Sequence, residues 1–167
     1  MQNELQQLLT EFAAERVALL ERHEAGARAV SHYDFNNTYQ YVIAREETHL
    51  TWLQDALVEL GVPLPKASST LPVPAVGKVG KQVAPAAFKD VCEDDGLTLS
   101  AFVARWRPRV DVMTHARHRT MLNVVLGESL EHQRLFAQAA SGFEDLLGKR
   151  TTGSARVGGV LPARWME

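Results

Sequence analysis

Leu5, Leu8, Leu9, Phe12, Leu19 and Leu20 recur at the three- and four-residue spacing of one helix face. That pattern predicts a first helix over residues 3–30, free of proline and with one glycine, Gly26, near its end. Residues 31–34 break the pattern. The Asp34 carboxylate is suited to cap a second helix, because it can accept from the unpaired amides of the next turn. Phe35, Tyr39, Val42, Ile43, Leu50, Leu53, Leu57 and Leu60 form a second stripe, predicting a helix over residues 35–60. Gly61 and Pro63 end it, since glycine accepts a left-handed backbone and proline cannot continue the ladder. Two long helices joined by a short turn lie antiparallel.

Residues 61–85 hold five of the seven prolines and show no regular apolar face. They read as a connection long enough to carry the chain from one end of a bundle to the other. A third helix begins near Pro85, with Phe88, Val91, Cys92, Leu99, Phe102, Trp106, Val110 and Met113 on its stripe, and Gly96 and Pro108 as possible breaks. Met121, Leu122, Val125, Phe136 and Ala139 mark a fourth over residues 114–141. The expectation is an all-α four-helix bundle over residues 1–147 and a small-residue tail over 148–167, apolar only at points such as Leu161 and Trp165.

Composition narrows the class. With 167 residues, 46% of them hydrophobic, the chain suits one domain with its own core. A net charge of -2 offers no basic surface for nucleic acid. The arginines at 105, 107, 109, 117 and 119 read as solvated helix faces. Cys92 is the only cysteine, which excludes an internal disulfide and a cysteine-held zinc or iron–sulfur site. The polar start and the lack of a long apolar run suggest neither leader nor membrane span, and a reducing cytoplasm is the expected setting.

The informative residues are polar ones inside apolar stripes. At about 100° per residue, Glu46 falls at the middle of the second stripe and His49 at its edge, so an oxygen and a nitrogen donor share one face. A carboxylate in a helix–helix seam must be protonated, paired with a cation or bound to a metal. On the first helix Glu15 flanks the stripe, His23 lies nearer its middle, and Arg16 borders it as a possible partner for a buried acid. Asp95 lies on the third stripe if the helix runs through Gly96; otherwise it is a cap. Glu128 and His132, four apart, face the apolar side of the fourth helix, with His118 on the same stripe. A lone core histidine is most often a satisfied hydrogen-bonding group. Glu15 precedes Glu46 by 31 residues and Asp95 precedes Glu128 by 33, so hairpins of similar length bring the acids to similar depth. Such convergence repels unless cations lie between the acids.

The stretch Glu46-Glu47-Thr48-His49-Leu50-Thr51-Trp52-Leu53 resembles the Glu-Glu-x-His-x-x-Trp-Leu stretch of the ferritin-like superfamily, and of its bacterioferritin and rubrerythrin-type di-iron domains in particular. Glu15-Arg16-Val17-Ala18 is similar to the start of that family's first metal-binding helix, and residues 61–85 resemble its crossover. The resemblance implies a ferritin-like bundle with two iron ions, or manganese. Glu15, Glu46 and His49 would ligate one ion, Asp95 and Glu128 would complete the second half with His132 beside them, and Glu46 and Glu128 would bridge. The chain departs from the family at Glu131, which stands three after Glu128 where a histidine is usual, and in the shorter Asp95.

Two functions are compatible with this pattern. In the first, a non-haem di-iron or di-manganese centre oxidises Fe(II) or handles peroxide or oxygen, so its partners are metal ions and a small oxidant. In the second, Glu46 pairs with Arg16 or His23, and the bundle is a non-catalytic association module, with a homo-oligomer as one form it can take. Residues 153–165 also resemble the docking peptides of ferritin-like cargo loaded into protein shells, although tails commonly carry a few apolar residues.

Overall fold

A computed structural model describes residues 2–148 of the chain. Among them are four α-helices and no strand. They are α1 (Gln2–Ala29), α2 (Tyr33–Glu59), α3 (Lys89–Asp111) and α4 (Ala116–Ala140). A short 3-10 turn, Pro85–Phe88, leads into α3. No helix among the described residues is long and apolar enough to cross a membrane. The tail expected to carry docking residues, 149–167, lies outside the described residues.

The start of α2 differs from expectation. His32, not Asp34, is the N-cap: its Nδ1 accepts from the Phe35 amide at 3.4 Å. Asp34 instead lies in the first turn, where a negative charge favours the helix dipole. Gly61, at φ 73°, closes the other end, with Gly61 N–H donating to Val58 O and Val62 N–H to Leu57 O. The third helix is unbroken by either Gly96 or Pro108. At Gly96 the backbone of α4 comes close, so that a Cβ there would lie 3.6 Å from Ala137 N and Gln133 O. Asp95 therefore belongs to the helix interior and is not its cap.

Side-chain pairs set the helix directions. Asn36 donates to Ala27 O at 2.8 Å, and His23 meets Glu46, so α1 and α2 are antiparallel. Glu11 meets Arg109, and Arg22 meets Asp94, so α1 and α3 are antiparallel too. Arg45 with Glu128 and Glu59 with Arg117 give the same relation for α2 and α4. Residues 62–84 form no helix or strand, but Ser68 N–H donates to Ala14 O at 3.0 Å, and Leu64, Leu71, Val73 and Val76 pack against the core.

One part of the interior is aromatic, with Phe12 set edge-on against both Phe102 and Trp106 at 5.2 and 4.9 Å between centroids. Another joins Tyr39, Phe136 and the His23 ring. Burying each such large side chain stabilises by roughly 1.5–3 kcal/mol, which makes the polar groups set among them the costly feature.

Candidate functional site: a buried charge network

Arg16, His23, Glu46, His49, Asp95, Ser129 and His132 are all buried, and they come from all four helices. The Arg16 guanidinium lies at their centre. Its Nη2 is 3.2 Å from Glu46 Oε1 and 3.2 Å from His49 Nδ1, and its Nη1 donates to Ser129 Oγ at 3.1 Å. Long side chains carry their charge far from their own backbone, so a residue at the stripe's border reaches the middle of the seam. The face of the guanidinium also rests over Phe102, 5.3 Å from the ring centroid.

His49 is held by both nitrogens. Nε2 lies 2.8 Å from Glu128 Oε2, while Nδ1 faces the Arg16 donor. Arginine can only donate, so the ring is the neutral tautomer with its proton on Nε2. Burial, and then the Arg16 charge, push its pKa down to about 4, against the pull of Glu128. Glu128 is tied in turn to the Arg45 guanidinium by two hydrogen bonds of 2.8 and 2.9 Å, which close the solvent side of the cluster.

Glu46 has a second partner. His23 Nδ1 lies 2.8 Å from Glu46 Oε2, and His23 Nε2 lies 3.5 Å from Asp95 Oδ1. Burial is the largest influence on both members of the His23–Glu46 pair and opposes their charges, but the attractions together outweigh it: Glu46 and then Asp95 raise His23, and His23 with Arg16 lowers Glu46. Asp95 also meets Arg22 at 3.3 Å and accepts a short hydrogen bond from the Tyr39 hydroxyl. Burial nevertheless raises the Asp95 pKa above its usual value, against His23, Arg22 and Tyr39.

His132 sits at the edge of the network. Its ring faces His49 at 6.4 Å and Tyr41 at 5.9 Å, and Nδ1 has no hydrogen-bond partner among the described residues. Burial lowers its pKa to about 4 despite the attraction of Glu46.

Of the six residues expected to hold metal, Glu46, His49, Asp95, Glu128 and His132 belong to this network and Glu15 does not. Glu15 faces α3, where Arg105 pairs with it. Among the described residues, no group of three or more His, Cys, Asp or Glu side chains is placed to hold a metal ion. Guanidinium groups stand beside both buried acids. Sequence reasoning missed Ser129, Arg22, Arg45 and the Tyr39 hydroxyl. Ser129, three before His132, is the one with a readable signal, because it lies on the same helix face.

These features define an all-helical bundle with an internally paired core of ions. No family model, curated protein or solved structure matches the chain.

Proposed function

We propose that this chain is a ferritin-like bundle in which arginine has taken the place of metal, and that it works as a metal-independent helical association module. The ferritin-like arrangement is supported by the helix directions: with α1 antiparallel to both α2 and α3, residues 61–85 act as a lengthwise crossover. The observation that carries the functional reading is Arg16, within 3.2 Å of both Glu46 and His49. Its fixed positive charge satisfies Glu46 and repels a divalent ion at the point where one would bind. The other acids of the network also have arginine partners: Arg22 stands beside Asp94 and Asp95, and Arg45 beside Glu128.

The test is elemental analysis of the full chain after anaerobic loading with Fe(II) or Mn(II), with thermal melts alongside. Substoichiometric metal and an unshifted Tm are expected for wild type.

One observation favours a second reading, an iron- or manganese-binding centre acting in iron oxidation or peroxide chemistry. The buried His132 Nδ1, without a hydrogen-bond partner among the described residues, lies beside His49, with the Glu46 charge near it. In that reading Arg16 withdraws and Glu46, His49, Glu128 and His132 take up the ion. Stoichiometric metal in wild type, lost in Glu46→Ala, would establish it and overturn the first.

A further inference from the structure

The two seams between the helical hairpins are finished differently. Over the α1/α3 seam lies the chain's own extended segment: Ser68, Ser69 and Leu71 line a groove there with Leu19, Ala101 and Phe102. On the α2/α4 side is a groove of about 410 Å³ lined only by those two helices, with Trp52, Ala56, Met121 and Val124 as its apolar lining, Asp55 as its acid, and Arg117, itself paired with Glu59, beside His118. Val124 is 43% exposed, and Tyr41, further along the same side of α2, is 45% exposed. Asp55 has no ion-pair partner among the described residues.

The end of the described chain lies at the head of this side. After α4, residues 144–147 fold against Asp34 and Asn37 in the first turns of α2, and His32 holds Glu144 at 2.9 Å. At about 100° per residue, Asn37, Tyr41, Arg45, Thr48, Trp52 and Asp55 follow one side of α2. Trp52 is 15 residues beyond Asn37 in the sequence, hence roughly 22 Å along the helix axis. About seven extended residues span that distance. Residues 149–155 therefore suffice to bring the chain level with the groove.

The next ten residues have the matching chemistry. Residues 156–165 read Arg-Val-Gly-Gly-Val-Leu-Pro-Ala-Arg-Trp, apolar and basic, with a Leu-Pro step like those at 64–65 and 71–72 in the segment over the other seam. Lys149 and Arg150 come directly after a head lined by Asp34, Glu144 and Asp145, and Arg164 is the counterpart for Asp55.

We propose that residues 156–165 dock in the α2/α4 groove of their own chain as a strap. Leu161 and Trp165 supply the apolar contacts against Trp52, Met121 and Val124.

The test uses the full chain, ¹⁵N-labelled, with a nitroxide on Ser154→Cys. Buried Cys92 does not compete for the label. Amide signals of residues 41–55 and 117–128 should lose most of their intensity, while those of Ala18, Thr98 and Ala101 on the opposite seam should not. Adding Leu161→Asp and Trp165→Asp to the same labelled chain should restore the signals. Weak uniform broadening, broadening centred elsewhere, or broadening that survives the two aspartates would each overturn the strap. A mixture of spin-labelled ¹⁴N chains with unlabelled ¹⁵N chains should show none; localised broadening there would mean docking between copies and would overturn it as well.

Discussion

Arg16 on α1 and Glu46 on α2 form an ion pair of 3.2 Å with both side chains fully buried. Removing one partner from such a pair leaves a bare charge in the core and costs about 3–5 kcal/mol, whereas replacing both with apolar groups is often neutral. Arg16→Met should therefore destabilise strongly in urea unfolding. Glu46→Leu should also destabilise, since it strands both Arg16 and His23. The double variant should be more stable than the sum of the two losses predicts. Strict additivity would show that the pair does not couple.

Acid should weaken the fold by protonating histidines that are buried neutral. His49 and His132 have pKa values of about 4 in the folded chain, against 6.5 when unperturbed. Below 6.5 the unfolded state takes up protons that the folded state refuses until about 4, so stability is complete above that window and falls through it. His118, also lowered chiefly by burial, acts in the same sense. His23, whose pKa is raised, has the opposite sign: its contribution is full below 6.5 and is lost only as pH rises through its folded value. The urea midpoint should drop steadily from pH 6.5 to 4.5. A flat profile there would contradict the neutral, buried histidines.

Gly26 is a packing glycine. A Cβ on it would lie 2.7 Å from Tyr39 Cε1, well inside contact distance. Alanine normally favours a helix interior by roughly 0.5–1 kcal/mol over glycine. Here Gly26→Ala should lower the Tm, because it displaces a ring that also carries the hydrogen bond to Asp95. A higher Tm would show that the ring yields freely.

The helices were legible because burial of one face imposes a 3.6-residue period, and Glu46 stood out because it interrupts that face at its centre. The partners of Glu46 were legible only as one of two alternatives, Arg16 or His23 against a metal, and both side chains lie beside it. Arg16 lies at the stripe's border, and only its length brings the guanidinium to Glu46 and His49. Glu15, one residue earlier, is rotated by about 100° and meets Arg105 on α3 instead. His32 displaced Asp34 as the cap of α2 with help from afar, since Glu144, 112 residues on, holds the other ring nitrogen. Local spacing carries no trace of such a contact.

Tyr39 tests whether the lower half of the network is structural. Its pKa is well above 10, chiefly through burial and then through the neighbouring Asp95 charge, so the hydroxyl stays protonated and donates at any accessible pH. Asp95, raised by burial, depends on that donor together with Arg22 and His23. Tyr39→Phe keeps the ring against Phe136 but removes one hydrogen bond to a buried acid, which should cost about 1.5–3 kcal/mol. It should also push the Asp95 pKa higher, so that its carboxyl takes up a proton at a less acidic pH. ¹³C-detected titration of the Asp95 carboxyl in wild type and Tyr39→Phe reads this directly, with urea unfolding as the stability measure. An unchanged titration with full stability would mean that the hydroxyl contributes nothing to holding Asp95, and that Arg22 and His23 suffice.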